Sequence, residues 1–167
     1  DDVDYCRDLE QQILAATARL TIRSWISSPP REGIEIDKEV AHATVMNDRY
    51  LVTHNHFETP LSLLLNVEMQ DVNNYLIITD WQGNELFSAP ITDFFITFAG
   101  EGVLVLGLKD QEDPVWLETL GFRSSEFANL HQSSLAPGME VAQVDWDGEH
   151  TRLDWTVIKE IGDAGNM

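Results

Sequence analysis

The sequence predicts a mainly β fold, an antiparallel barrel or sandwich preceded by one short helix. Three observations point there. Short runs alternate apolar and polar residues, turn-forming pairs separate those runs, and no helical pattern recurs between them.

The helix comes first. From Tyr5 to about Thr17, Leu9, Ile13 and Ala16 fall at helical spacing and acidic residues gather toward the start, which complements the helix dipole. From Ala18 the period changes to two, with Leu20, Ile22 and Trp25 set among Thr21, Arg23 and Ser24, until Pro29-Pro30 ends the run. Further strands are expected at Ala43–Met46 and Tyr50–Thr53 around the turn-like Asn47-Asp48, then at Leu61–Met69, Tyr75–Trp81, Ile91–Phe98 and Gly102–Leu108. After Lys109–Pro114 the periodicity fades. Met139–Trp146 and Thr151–Ile161 then flank Asp147-Gly148-Glu149, a strong hairpin signal. The expected organisation is a helix over 1–20, a first β unit over 21–110, a connector over 111–136 and a second, partial β unit over 137–167.

Charge narrows the partners. The chain has 29 Asp and Glu against 10 Lys and Arg, a formal net charge of −19, and this acidity is spread over the whole length. Such a surface repels phosphate backbones and anionic membranes, so no nucleic-acid partner is expected. No apolar run approaches the roughly 18 residues of a membrane-spanning helix, so no transmembrane segment is expected. Cys6 is the only cysteine, which excludes an internal disulfide and leaves an idle thiol or an intermolecular bridge. The sequence opens on Asp1-Asp2-Val3, consistent with a removed leader and with an extracellular or cell-envelope location. The oligomeric state is left open.

The segment richest in chemistry is Ala43-Thr44-Val45-Met46-Asn47-Asp48-Arg49-Tyr50-Leu51-Val52-Thr53-His54-Asn55-His56-Phe57. It resembles the trypsin-like serine peptidases, whose catalytic histidine closes a Val-Leu-Thr-Ala-Ala-His-Cys segment. The resemblance aligns His56 with that histidine and puts Phe57 at the disulfide cysteine, so disulfide-free bacterial members are the nearer comparison. It implies a trypsin-like antiparallel β-barrel with a partial second barrel, peptide-bond hydrolysis by acyl transfer, a protein or peptide substrate, and no cofactor.

A general base at a rigid strand end must reach a nucleophile on one side and a carboxylate on the other. The family's acid opens an apolar strand, and the matching run here is Glu101-Gly102-Val103-Leu104-Val105-Leu106-Gly107-Leu108. Glu101 is therefore the candidate acid. Its other reading is an exposed turn residue, because strict register sets Gly102 at the acid's position. Asp93, before Phe94-Phe95, is a poorer candidate. Farther on, Pro137-Gly138-Met139-Glu140-Val141-Ala142-Gln143-Val144-Asp145-Trp146 is similar to the strand that opens the family's second barrel.

The family's serine lies in Gly-Asp-Ser-Gly-Gly, and no such motif occurs here. Gly162-Asp163-Ala164-Gly165-Asn166 comes nearest, with Ala164 where the hydroxyl belongs. Either Ala164 stands at a lost nucleophile, or the serine belongs to sequence beyond these residues. The second alternative is preferred, since Thr151–Ile161 matches a strand well before the family's serine loop. The chain alone is expected to form no acyl-enzyme.

Two other readings stay in view. His54 and His56, two apart on a strand, would share a face and could bind zinc with His42 or Glu58. No Cys pair or His-Glu-x-x-His element accompanies them, so no metal site is expected and His54 is read as structural. The five tryptophans are read as core and rim residues. The alternative function is a non-catalytic binding or scaffold module derived from the peptidase fold.

Overall fold

Helix α1 (Asp2–Ala15) feeds directly into strand β1 (Thr17–Ile26) in the computed structural model, which describes residues 2–26, 33–54, 72–98, 102–125 and 136–160. The helix stops where its last carbonyls find other donors. Thr17 Oγ1 donates to the Ile13 carbonyl at 2.6 Å and the Ala16 amide reaches the same oxygen at 3.2 Å.

Six more strands complete the main sheet: β2 (Ile34–Met46), β3 (Tyr50–His54), β4 (Val72–Thr79), β5 (Glu85–Pro90), β6 (Phe94–Phe98) and β7 (Val103–Leu108). Their order is β5-β4-β1-β2-β3-β7-β6 and every pairing is antiparallel. The run β4-β1-β2-β3 is a Greek key, in which the fourth strand returns to lie beside the first. The sheet curls into a half-barrel, so the fold is mainly β as the sequence predicts.

The curl follows from connectivity. The edge strands β5 and β6 are consecutive in the chain, joined only by a 3-10 turn at Ile91–Asp93. Four Cα steps of 3.8 Å reach about 15 Å, whereas seven flat strands at 4.8 Å spacing span about 29 Å. A flat sheet cannot satisfy both. Ile91, which turns that corner, is buried, and Asp93 accepts a backbone hydrogen bond from Lys109 at 2.9 Å.

Curling gives the sheet an inside. Ala18, Leu20 and Ile22 of β1 alternate into the core with Ala41, Ala43 and Val45 of β2, Leu51 of β3, Leu76 and Ile78 of β4, and Leu104 and Leu106 of β7. Register keeps them on one face, with Leu20 opposite both Ala41 and Ile78, and Leu51 opposite both Val45 and Leu106. On the outer face Gly107 leaves room for the Phe95 ring, which meets Tyr50 edge-on at 6.2 Å.

Several expectations need adjustment. Strand β2 is 13 residues long where only Ala43–Met46 was expected. A bulge explains this, because Ile22 pairs with Glu39 and Arg23 with Asp37, leaving Lys38 extra and breaking the period-two signal. Strand β5 was not expected, and its terminal Pro90 is tolerated because β5 is an edge. Ile91–Asp93 forms the corner, and only Phe94–Phe98 is strand. The expected strand at 61–69 lies outside the described residues. At the β2–β3 turn, by contrast, Asn47 and Asp48 both take positive φ (52° and 61°) and the Arg49 amide bonds the Met46 carbonyl, the type I′ geometry their residue types favour.

The stretch read as a connector also enters the core. Its single helical turn, α2 (Trp116–Thr119), buries Trp116 and Leu117, and Phe122 follows them inside. Trp116 Nε1 donates to the Arg49 carbonyl at 3.0 Å, the Leu117 amide to Asp48 O at 3.0 Å, and the Ser125 amide to Val45 O at 2.9 Å. These bonds tie the segment to the β2–β3 turn.

Two more strands, β8 (Glu140–Trp146) and β9 (Thr151–Val157), form a separate hairpin. Among the described residues no helix is long and apolar enough to cross a membrane.

Because Leu20 sits fully inside between Ala41 and Ile78, Leu20→Ala should lower unfolding free energy by about 2–5 kcal/mol. Ser88→Ala, at an exposed position, should stay within about 0.5 kcal/mol. Urea midpoints of the two variants check this.

Candidate functional site

The histidine segment emerges from β3, and the burial of that strand explains its hold on the backbone. Leu51 and Thr53 point inward while His54 is exposed. The buried Thr53 hydroxyl donates to the His42 carbonyl at 2.8 Å, linking the end of β3 to β2. On its other side β3 pairs with β7, with Leu51 opposite Leu106, Val52 opposite Val105, Thr53 opposite Leu104 and His54 opposite Val103. Gly102, at φ +79°, leads into β7 at that same end.

His56, Glu101 and Ala164 all lie outside the described residues, as do Glu58 and the side chain of Cys6. What the structure brings together is the end of β3 and the start of β7, with His54 opposite Val103. Asp93 is elsewhere. It closes the 3-10 corner next to Phe94, which pairs with Leu108, so Asp93 and His54 are associated with opposite ends of β7. His42, weighed as a zinc ligand, instead meets Thr151 on the hairpin, its Nε2 lying 3.1 Å from Thr151 Oγ1. Among the described residues no three His, Cys, Asp or Glu side chains gather as a metal-binding group.

A second constellation escaped the sequence reading, the seam between the half-barrel and the β8–β9 hairpin. Arg19 and His42 are cross-strand partners on β1 and β2, and Trp146 and Thr151 are cross-strand partners on β8 and β9. One pair sits on the other. The Arg19 guanidinium lies 4.0 Å from the centre of a Trp146 ring, a cation–π contact, and His42 meets Thr151. Thr151 is buried, and its amide donates to the Trp81 carbonyl at 2.7 Å. At the far end of the hairpin, Trp155 Nε1 donates to Glu10 of α1 at 2.7 Å. Trp146 and Thr151 flank a turn, so their pairing was legible; which strands receive them was not.

The hairpin turn is itself organised by one carboxylate. Asp147 Oδ1 accepts the Glu149 and His150 amides at 2.8 Å each, and Oδ2 lies 3.0 Å from His150 Nδ1. The two backbone bonds, first that from His150, hold the Asp147 carboxyl far below the usual range. Gly83 completes the fit, since at φ +92° it lies so close to Glu149 that an added Cβ would meet the Glu149 carbonyl oxygen.

No protein-family model matches this chain, and no curated protein is significantly similar to it. Fold and site together define a mainly β protein, a curled antiparallel half-barrel to which a second small sheet is docked.

Two outcomes follow. Gly83→Ala should destabilise the protein by about 1–3 kcal/mol, because it adds backbone strain to a clash with fixed main chain. Thermal melts of the variant and its parent check this. The depressed Asp147 carboxyl stabilises the turn wherever the unfolded chain's carboxylate is also ionised, above about pH 4. That stabilisation should be lost as pH falls toward the folded value, and Asp147→Asn should reduce the acid-range dependence in pH-resolved melts, leaving the share of other depressed carboxyls such as Asp145.

Proposed function

We propose that this chain is part of a trypsin-like serine endopeptidase, carrying the histidine-bearing first barrel and the opening hairpin of the second. The observation that supports it most is the β3–β7 pairing. His54 and Val103 are partners across that pair, and His56 and Glu101 each stand two residues along the chain from one of them. A general base and its orienting acid need adjoining strand ends of this kind, and the Ser-His-acid arrangement is known on antiparallel β-barrels. The Greek-key order of the half-barrel agrees with that setting.

On this reading His56 takes the proton from a serine hydroxyl and passes it to the leaving amine. Glu101 fixes the imidazole's orientation and stabilises the imidazolium. The nucleophile has to come from sequence outside these 167 residues, because the chain has no Gly-Asp-Ser-Gly-Gly motif. The substrate is a protein or peptide, and the expected location is extracellular or the cell envelope.

One observation favours a second reading. Gly162-Asp163-Ala164-Gly165-Asn166 has alanine at the place of the hydroxyl, as a non-catalytic binding module derived from the peptidase fold would have. A fluorophosphonate probe applied to the product of the complete gene separates the two. The peptidase reading expects labelling that His56→Ala abolishes and Glu101→Gln slows by on the order of 10⁴-fold. A folded protein that takes no label overturns it in favour of the binding module.

A further inference from the structure

We propose that His42 is a pH-sensitive latch at the seam, holding the β8–β9 hairpin on the half-barrel while neutral and loosening it when protonated. This does not depend on the peptidase reading.

The geometry gives the imidazole two neighbours it cannot avoid. Antiparallel pairing fixes Arg19 directly across from His42, with Cβ atoms about 5 Å apart, and Arg19 is held over the Trp146 ring. From the hairpin, Thr151 meets the ring nitrogen at 3.1 Å, in a place where Thr151 itself is 2% exposed. Docking thus half-buries His42 beside a permanent cation. Among the described residues, the charged groups acting on it are Arg19 from β1 and Asp145 from β8. From β9 it meets the neutral Thr151 hydroxyl, and from β3 the Thr53 hydroxyl bonds its carbonyl. Asp145 offsets part of the cost, and it stays ionised because the Trp146 amide donates to it at 2.9 Å.

The balance falls against the imidazolium. Burial, and after it Arg19, hold the His42 pKa below the usual histidine value, with Asp145 acting in the opposite direction. An undocked His42 regains water but keeps Arg19 across the sheet, so it titrates no higher than the free histidine value near pH 6.5. Above that pH neither state takes the proton, and docking is insensitive to pH. Below it the undocked state binds a proton that the docked state resists, so docking weakens as pH falls from about 6.5 toward the docked value. The hydrogen bond itself survives protonation, since Thr151 can accept from an imidazolium. Desolvation by the docked hairpin opens the latch, helped by repulsion from Arg19, which is less screened once Trp146 covers it.

Hydrogen exchange on the intact chain tests this at the Thr151 amide, which is bonded across the seam to Trp81, with Leu104 in the barrel core as internal reference. After correction for intrinsic rates, Thr151 protection should fall several-fold between pH 7.5 and 5.5 while Leu104 stays protected. The free imidazole's pKa limits the fall to about tenfold at pH 5.5. His42→Gln keeps a hydrogen-bonding side chain without a titrating one and should flatten the profile. His150→Gln, which removes the hairpin's own histidine, should leave the profile unchanged. A flat wild-type profile, an unaltered profile in His42→Gln, or loss of the dependence in His150→Gln overturns the proposal. Should His42→Gln not fold, NMR titration of His42 in the parent protein decides. A midpoint below 6.5 that coincides with a shift of the Trp146 indole signal supports the latch, and a midpoint at or above 6.5 overturns it.

Discussion

Seven strands have to bend because the first and last of the sheet are neighbours in the chain. The three residues Ile91–Asp93 tie edge strand β5 to edge strand β6, and this short tether rules out a flat sheet. Much else depends on that constraint. Bending creates an interior for Leu20, Ile22, Leu51, Leu76, Ile78, Leu104 and Leu106, and the small Ala18, Ala41 and Ala43 are buried there with them. Trp116, Leu117 and Phe122 complete the same core from a segment with little regular structure of its own. The corner thus turns a period-two pattern into a shared apolar interior.

The same curvature has an outer surface, and the β8–β9 hairpin uses it. Its attachment uses matched cross-strand pairs, Arg19 and His42 beneath Trp146 and Thr151. Gly83 and the Trp81 carbonyl set how near the turn can come. A seam built from a cation, an aromatic ring and an imidazole depends on protonation in a way that the aliphatic core does not. The proposed latch differs in this respect from the rest of the fold.

Different parts of the fold were legible to different degrees. Asn47-Asp48 and Asp147-Gly148 identified their hairpins because their residue types tolerate the positive φ that tight turns demand, and both turns are present. Strand β1 was readable from its alternation, with Ala18, Leu20 and Ile22 inside, and β7 from an unbroken apolar run, since Leu104, Val105 and Leu106 are all buried. Strand β2 was largely hidden by its bulge at Lys38, and β5 by its short length and terminal proline. For the candidate site, the segment ending at His56 was legible as a motif, and the apolar run after Glu101 as a strand. That β3 and β7 are adjacent is a long-range pairing with no local signature.

Composition and local pattern by themselves determined the acidic charge, the single thiol, the β class, the short leading helix and the two tight turns, since each depends on residue type within a few positions. Only tertiary structure decided which strands are neighbours, that Trp116 belongs to the core and not to its rim, and that His42 faces Thr151 109 residues away. Those outcomes rest on how a curled sheet brings distant segments together, and hydrophobic burial, which drives the collapse, has no preferred sequence separation.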